Sequence, residues 1–411
     1  MQLVHGYPPA VGGVEFVVRD LCEGLVARHG ADVTVLTTNA FTNANFRDAS
    51  LPTVPINPFE EQHGVRIRRF PVVTRWAPWL RVAQKVAWEL HWPGNDRLRT
   101  WYQGPIAPEL LRAVKQTDAD VVSAASFPLN HLTYPFRRPE PRPPVVLIGS
   151  IHPEDRWGFE RPHLIRLTRR AYATVTHTEA ERAWLLRRGA PEARVRVIPH
   201  GVAAAAPAAA EPDFRVRHAI GPDRLLVAYV GQQGSHKGID LLVDAFPSLL
   251  AEHPEAHLVI AGSRTPYSAE VRRRVQALQA EARQKVEVLD DVDEAEKTAL
   301  LAACDIFASP SRYESFGITV LEAWRQGRPV MVGDGPALRC VVEDGVSGLL
   351  VAHQPRAVLD GLLRLAADPG LRRQLGEAGH ARFLERYTLD RMIDDYHDLL
   401  VAAREAGPRA G

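Results

Sequence analysis

The sequence predicts an α/β protein built from two doubly wound domains, each a parallel sheet with helices on both faces. The length of 411 residues favours two domains of roughly 200 residues over a single core. Short apolar runs alternate with amphipathic helical segments, which is typical of parallel sheets covered by helices. The alternation stops at residues 203–211, which are mostly alanine and proline, and then resumes. This stretch predicts a linker, with an alanine-rich helix as the alternative.

The first half opens with a short, mostly apolar run at residues 1–4, which fits either the end of a strand that starts earlier or a short first strand. A helix follows, because Val14, Val18, Leu21 and Leu25 recur at helical spacing and Gly30 suits a C-cap. Further strands are expected where β-branched and apolar residues concentrate, at residues 33–37, 66–70, 120–124, 145–149, 174–178 and 195–199.

The second half repeats the same rhythm. Strands are expected at residues 225–230, 257–261, 286–289, 305–309, 329–332 and 348–351, with helices at 239–251, 316–326 and 387–403. The expected domain organisation is a first domain at 1–202, a linker at 203–222 and a second domain at 223–385. A C-terminal helix within 386–411 is expected to pack back on the first domain.

Bulk composition excludes several classes of function. The net charge of +1 gives no global signal for nucleic acid as a partner. Three widely spaced cysteines fit a reducing compartment, and no apolar stretch approaches the about 20 residues of a membrane span. The start of the chain has no secretory signal pattern, so a cytoplasmic location is expected. The histidines and cysteines show no metal-ligand spacing, so no metal site is expected; composition gives no oligomeric state.

Ligands of doubly wound folds bind beyond the carboxyl ends of the strands, so the loops there are the candidate sites. The loop at residues 7–13 ends in Gly12 and Gly13, which would let backbone N–H groups approach an anion; a tight turn is the alternative. The loop at 231–238 places Lys237 at a helix start, where a compact cation suits a pyrophosphate, whereas most lysines are simply surface residues.

Two carboxylates in the segment 309–323 form the strongest pattern. Glu314 lies just before an expected helix and Glu322 about two turns into it, while the N–H groups of Ser315, Phe316 and Gly317 would be free at the helix start. Such a segment could hold sugar hydroxyls, a phosphate and a ribose diol together. The alternative is a helix-start anion followed by a solvated face residue.

His152 follows an apolar strand at residues 145–149. A histidine in that position could donate a hydrogen bond to a ligand, although a histidine packed at a strand end is the commoner case.

The run Glu314-Ser315-Phe316-Gly317, with Glu322 eight positions on, resembles the glutamate-pair signature of the family-four retaining glycosyltransferases. The flanking residues 305–311, 327–330 and 342–351 agree, and the resemblance extends more loosely over the first half. It implies the GT-B fold, in which two Rossmann-like domains face each other across a cleft. It also implies a nucleotide-sugar donor, a hydroxyl acceptor, no cofactor and no required metal.

The resemblance implies roles for individual residues. Glu314 would bind hydroxyls of the transferred sugar, Glu322 the ribose and Lys237 the diphosphate, and His152 would contact the sugar near the reacting carbon. The implied catalytic residues are thus His152, Glu314 and Lys237. The implied donor-binding residues are Gly12, Gly13, Gly231, Gln232, Lys237, Gly262, Ser315, Phe316, Gly317, Ile318 and Glu322.

Three positions depart from the family pattern. Gln232 stands where many relatives have an arginine, which removes a charge-assisted bond of about 1.5–3 kcal/mol; His236 or Arg312 is a hypothetical replacement. His152 is followed by Pro153 and two acidic residues that include Asp155, not directly by one acidic residue. Ala203 replaces the usual aspartate after the Gly-Val pair.

Five of the eight tryptophans lie between residues 76 and 101, mixed with arginine and lysine. Trp88 and Trp92, with Asp155, are the candidate acceptor-side residues, because tryptophan faces stack on sugars. Segments of this composition also dock at membrane interfaces, which predicts a peripheral membrane contact. An ordinary packed helix pair is the alternative.

Two rival classes fit part of the pattern. An NAD-dependent dehydrogenase also has Rossmann-like domains, but the chain lacks a spaced glycine triplet with an acidic residue about 20 positions on. A non-catalytic sugar-nucleotide-binding protein is the second rival, and the intact set of Glu314, Glu322, Lys237 and His152 argues against it.

Overall fold

The computed structural model describes residues 1–10, 12–206 and 213–408. The chain divides into two compact units. The first unit comprises Met1–His200 with the described residues from Leu389 onward, and the second comprises the described part of Gly201–Thr388.

The strands of the first unit, in chain order, are β1 (Gln2–Leu3), β2 (Thr34–Thr38), β3 (Glu60–Gln62), β4 (Val65–Phe70), β5 (Val122–Ala125), β6 (Val145–Ile148), β7 (Ala173–Thr176) and β8 (Val195–Val197). Those of the second unit are β9 (Leu226–Val230), β10 (His257–Gly262), β11 (Val286–Asp290), β12 (Ile306–Ser309), β13 (Val330–Gly333) and β14 (Leu349–Val351).

The α-helices, in chain order, are α1 (Gly13–His29), α2 (Ala77–Glu89), α3 (Asn95–Gln103), α4 (Pro108–Lys115), α5 (Arg156–Phe159), α6 (Pro162–Ile165), α7 (Glu179–Leu186), α8 (Phe214–Arg217), α9 (Ile239–Glu252), α10 (Ser268–Ala277), α11 (Ala280–Arg283), α12 (Glu294–Ala303), α13 (Ile318–Arg325), α14 (Pro336–Val341), α15 (Pro355–Ala367), α16 (Pro369–Arg386) and α17 (Leu389–Glu405). Among the described residues, none of these helices is both long and apolar enough to cross a membrane.

The sheet of the first unit has the strand order β3-β4-β2-β1-β5-β6-β7-β8. All neighbours pair in parallel except the edge strand β3, which runs antiparallel to β4. The strand order reverses between β1 and β5, so the loops after these two strands flank the switch point where ligands bind in such sheets.

The sheet of the second unit is parallel throughout its described strands, in the order β11-β10-β9-β12-β13-β14. Numbered within the unit, this is the 3-2-1-4-5-6 order of the Rossmann fold. Its switch point lies between β9 and β12, which places the loops at residues 231–238 and 310–317 beside each other.

Strand β9 shows why these runs form central strands. Val227 and Tyr229 pack into the core on one face of the sheet, while Leu226, Ala228 and Val230 pack into the core on the other. Burial of both faces requires a continuous apolar run, and each fully buried aliphatic side chain contributes about 1.5–3 kcal/mol.

Helix α17 belongs to the core of the first unit. Met392, Ile393 and Tyr396 are buried in the same cluster as Val18 and Leu21 of α1. The approach is close at Gly24, where a Cβ would lie 2.1 Å from the Ile393 side chain.

Ion pairs reinforce this helix contact. Arg28 contacts Asp390 at 3.0 Å and Asp394 at 2.9 Å.

The structure corrects the expected linker at 203–222. Residues 207–212 of that span lie outside the described residues, but the part that follows is packed into the second unit. Phe214 is fully buried, and the Arg215 guanidinium donates to the Ala303 carbonyl and to Asp305. An aromatic anchor and a satisfied guanidinium therefore hold this stretch in place.

Two helix starts also differ from the expected ones. The helix expected at 316 begins at Ile318, because Gly317 adopts a left-handed conformation (φ 93°) as its N-cap. The helix expected from 386 or 387 begins at Leu389. Tyr387 instead packs in the second unit, edge-on to Phe316 with ring centroids 5.9 Å apart.

Candidate functional site

The loops that follow β9 and β12 are packed against each other at the switch point of the second sheet. The Arg312 N–H donates to the His236 carbonyl at 2.7 Å, and the rings of His236 and Tyr313 stack with centroids 4.9 Å apart. Gly238 (φ 72°) makes the close approach possible, since a Cβ there would lie 2.2 Å from the Pro310 carbonyl oxygen. The two loops thus form one surface.

Lys237 and Glu314 are paired on this surface. The Lys237 ammonium lies 2.5 Å from a Glu314 carboxylate oxygen, which also accepts a hydrogen bond from the Ser311 hydroxyl at 3.2 Å. Both side chains are mostly buried yet partly exposed. A ligand here would therefore meet a cation and a hydrogen-bond acceptor side by side, which suits a molecule with both phosphate and hydroxyl groups.

Glu322 makes a second lysine–carboxylate pair, with a partner that the sequence reasoning missed. The Lys297 ammonium of α12 lies 2.6 Å from Glu322 of α13 and 2.8 Å from Glu294. Burial raises the pKa of the Glu322 carboxyl, and the positive charge of Lys297 opposes that rise.

The glycines Gly231 and Gly262 close-pack the carboxyl ends of β9 and β10. Gly262 has φ +148°, and a Cβ on it would lie 1.8 Å from the Gly231 carbonyl oxygen. The Gln232 side chain is exposed beside them, while its carbonyl accepts from the Tyr229 hydroxyl at 2.9 Å. The structure thus gives both glycines a packing role, whatever ligand they contact.

The segment Ser315–Ile318 is divided between core and surface. Phe316 is buried, so its predicted contribution to a ligand rests on its backbone. Ser315 and Ile318 are half-buried. Because α13 begins at Ile318, the N–H groups at its start are those of Ile318 and the following residues, and the Val320 N–H already donates to the Gly317 carbonyl.

In the first unit, Gly12 and Gly13 begin α1 at the switch point. A Cβ on Gly12 would lie 2.3 Å from the Glu15 carboxylate, whereas a Cβ on Gly13 would meet nothing within 4 Å. Gly12 therefore makes room for Glu15, and Gly13 faces open space.

A buried chain of polar groups crosses this switch point. His5 after β1 contacts Glu15 at 3.0 Å through Nε2 and Ser126 after β5 at 2.7 Å through Nδ1. Burial alone would raise the pKa of Glu15, but the hydrogen bond with His5 holds it below the usual value. Ser126 has φ 85°, which is rare for a residue with a side chain.

His152 lies in a loop held by a buried carboxylate. Glu181 of α7 accepts from the Ile151 N–H at 2.8 Å and from the His177 N–H at 2.6 Å. Burial raises the pKa of Glu181. The His152 ring packs edge-on to Phe159 with centroids 5.2 Å apart, so Glu181 fixes the backbone next to His152.

The predicted acceptor-side residues have three different environments. Trp88 packs against Arg99, whose guanidinium lies 4.3 Å from its ring centroid, so one face of the indole is covered. Trp92 is exposed. Asp155 caps α5 by accepting from the Gly158 N–H at 2.8 Å.

The sequence reasoning missed His5, Glu15, Ser126, Glu181 and Lys297. The sequence did contain a signal for Glu181 and Glu15. Each lies three positions after the residue that precedes a helix, Thr178 or Gly12, and this spacing is typical of an acidic residue in a first helical turn. The others pair across 25 to 121 positions of sequence, so only the fold brings them together.

Two family profiles match this chain. The profile described as Glycosyltransferase Family 4 matches residues 11–205, and that of Glycosyl transferases group 1 matches residues 210–382. The chain belongs to the family-four glycosyltransferases. The rival class of NAD-dependent dehydrogenases is thereby excluded.

Similar proteins include two kinds of named glycosyltransferase. A GDP-mannose:cellobiosyl-diphosphopolyprenol alpha-mannosyltransferase of Xanthomonas campestris is 24% identical over 98% of each chain. A D-inositol 3-phosphate glycosyltransferase of Xylanimonas cellulosilytica is 34% identical over 51% of this chain and 52% of the relative. The chain thus aligns along the whole mannosyltransferase but with only about half of the second relative.

Solved structures show the same fold. Anabaena HepE in complex with UDP and glucose superposes with a TM-score of 0.69 at 18% identity, over 98% of this chain and 99% of that one. Sucrose-phosphate synthase from Thermosynechococcus elongatus gives 0.72 at 20% identity, over 99% of both chains. The predicted fold, GT-B with two Rossmann-like domains, is confirmed.

Proposed function

We propose that this glycosyltransferase moves a hexosyl unit from a nucleoside diphosphate sugar to a hydroxyl acceptor with retention of anomeric configuration and without a required metal ion. The observation that carries the proposal is the presence of two lysine–carboxylate pairs in the second unit: Lys237 with Glu314 in the loops after β9 and β12, and Lys297 of α12 with Glu322 of α13.

The chemistry of such a donor matches these groups. A nucleoside diphosphate sugar presents phosphate oxygens, sugar hydroxyls and a ribose diol. Ammonium groups suit phosphate oxygens, and carboxylates accept charge-assisted bonds from hydroxyls. We assign Glu314 to the transferred sugar, Glu322 to the ribose and Lys237 to the diphosphate, with Gly13 and the start of α13 as backbone donors.

The reaction breaks the bond between the anomeric carbon and the diphosphate oxygen and forms a bond from that carbon to the acceptor oxygen. The proton of the acceptor hydroxyl passes to the departing diphosphate. Negative charge grows on the departing diphosphate. The Lys237 ammonium and the N–H groups at the start of α13 would stabilise that charge with fixed groups. His152 is proposed to contact the sugar near the reacting carbon, by the family resemblance.

A UDP-hexose is the favoured donor and GDP-mannose the second choice. The HepE structure contains UDP and glucose, and the Xanthomonas relative is named for GDP-mannose. That relative is also named for a diphosphopolyprenol-linked acceptor. The proposed acceptor is a hydroxyl group of a glycan, a lipid-linked sugar or a secondary metabolite, and the name of that relative favours the lipid-linked sugar. Free thiols at Cys22, Cys304 and Cys340 suit a cytoplasmic location.

A thermal-shift panel of UDP, GDP, ADP and dTDP tests donor binding. Ligand at about 100 times its Kd adds about 2.7 kcal/mol of stability, which is a shift of roughly 5–11 °C for a unit of this size. Lys237→Met should weaken the affinity for the preferred nucleotide about tenfold or more. Lys285→Met, which removes another lysine of the second unit, is the matched control.

Turnover experiments test the finer parts of the proposal. NMR of the product should show the anomeric configuration of the donor, and activity should persist in excess EDTA. A product of inverted configuration would overturn retention, and a response to none of the four nucleotides would overturn the donor assignment.

A further inference from the structure

Helix α2 carries a row of apolar side chains that the fold leaves uncovered. Trp79 is 75% exposed, Val82 59% and Leu90, just after the helix, 59%. Val86 is also exposed. Successive helical residues are about 100° apart, so these four side chains fall on one stripe.

The opposite side of α2 is the packed side. Ala77, Gln84 and Ala87 are buried, and Trp88 lies against Arg99. The exposed stripe is therefore a second apolar face and does not contribute to the core of the first unit. Exposed apolar patches of this kind mark interaction surfaces.

Cations border the exposed stripe. Within the segment 75–101, Arg75, Arg81, Lys85 and Arg97 are exposed, and the exposed acid of that segment is Glu89, which lies 3.9 Å from Lys85. The other acid of this region, Asp96, is buried and paired with His163. The exposed charge of this segment is thus mainly positive.

Tryptophan adds a third feature. Trp76, Trp92 and Trp101 are also exposed on α2, α3 or the residues that flank them. Tryptophan is enriched where protein meets the boundary between lipid headgroups and acyl chains, because its ring is apolar and its N–H polar. A groove for a soluble protein partner would not require this concentration of indoles beside cations.

We propose that the stripe Trp79, Val82, Val86 and Leu90 docks on the surface of a bilayer that contains anionic lipids. The apolar side chains would enter the boundary between headgroups and acyl chains, with α2 parallel to the membrane plane, and the bordering cations would face lipid phosphates. The bilayer contact does not depend on the proposed function. Only the link between this contact and a lipid-linked sugar as the acceptor rests on it.

Vesicle co-sedimentation of the full chain tests the contact. Binding to vesicles of phosphatidylcholine with phosphatidylglycerol should exceed binding to phosphatidylcholine alone, and should fall as salt is raised. The triple variant Trp79→Ser, Val82→Ser and Leu90→Ser should lose about tenfold or more in partitioning, since each side chain would give up buried apolar area. The double variant Arg81→Gln and Lys85→Gln should lose roughly fivefold per cation.

A matched control uses exposed apolar side chains of the second unit. The triple variant Val216→Ser, Val346→Ser and Leu384→Ser should bind vesicles like the wild type. Cooperative thermal unfolding of every variant, measured without nucleotide, shows that each is folded. Vesicle binding with no nucleotide response would overturn the proposed function alone.

Three results would overturn the bilayer proposal. The first is no vesicle binding by the wild type while its nucleotide response persists. The second is equal binding by wild type and stripe variant. The third is light scattering that shows a dimer lost in the stripe variant, which would assign the stripe to a second copy of the chain.

Discussion

Removal of the Lys297 ammonium should destabilise the second unit, because it leaves the Glu322 carboxylate buried without its cation. The two groups lie 2.6 Å apart, with side-chain exposures of 16% and 11%. At an effective dielectric constant of about 20 their gross attraction is about 6 kcal/mol, much of which offsets desolvation. Loss of one partner from a buried pair costs about 3–5 kcal/mol, and we expect that loss in the free energy of unfolding for Lys297→Met.

The loss should depend on pH. Burial already raises the pKa of Glu322 in the folded state, and removal of Lys297 should raise it further. A carboxyl with a raised folded pKa binds its proton more tightly when folded. The penalty is therefore absent below the unfolded pKa of about 4.3 and grows as pH rises toward the folded pKa. Lys297→Met should thus cost more at about pH 7.5 than at about pH 5.

Scanning calorimetry at both pH values measures this effect. For a unit of this size each kcal/mol shifts Tm by roughly 2–4 °C, so Lys297→Met should lower Tm by roughly 6–20 °C at the higher pH. The double variant Lys297→Met and Glu322→Gln should recover most of the loss, because no charge remains to be buried. A Tm unchanged at about pH 7.5, or an equal fall at both pH values, would refute the reasoning.

Two further predictions concern the loop that holds His152 and the close packing of Gly262 against Gly231. Glu181→Gln should lower the free energy of unfolding, measured in urea, by about 1–3 kcal/mol, because an amide N–H would face a backbone donor. Since Ile151 precedes His152, kcat should also fall more than nucleotide affinity. An unchanged kcat would leave Glu181 a purely structural residue. Gly262→Ala should cost about 1–3 kcal/mol or more, because its Cβ would overlap the Gly231 carbonyl. The control is Gly335→Ala, since a Cβ fits at Gly335, and this variant should have the Tm of the wild type. Equal stability of the Gly262 and Gly335 variants would contradict the close packing.

Much of the fold was predictable because its strands are buried on both faces. Leu226–Val230 and His257–Gly262 lie within a residue of the expected runs. The helix start was the weaker prediction, since the start at Ile318 depends on the left-handed backbone of Gly317. Glycine at that position is compatible with either a helical or a left-handed conformation, so sequence alone does not choose.

The site was predictable only where its residues share one loop or one helix. Glu314 and Glu322 are eight positions apart and were recognised together. Lys297 sits among acidic residues on α12, in a pattern that also suits a solvated helix face. Likewise, His5 and Ser126 meet only because β1 and β5 are neighbours in the sheet.

The return of α17 to the first unit makes the second unit a domain insertion. The chain leaves the first unit after His200 and re-enters it at Leu389. The two ends of the second unit are adjacent, because the Val202 N–H donates to the Tyr387 carbonyl at 3.0 Å. A fragment that stops at His200 would lack Ile393, which packs against Gly24. To remove the second unit and keep the core of the first, residues 201–388 must be deleted and His200 joined to Leu389.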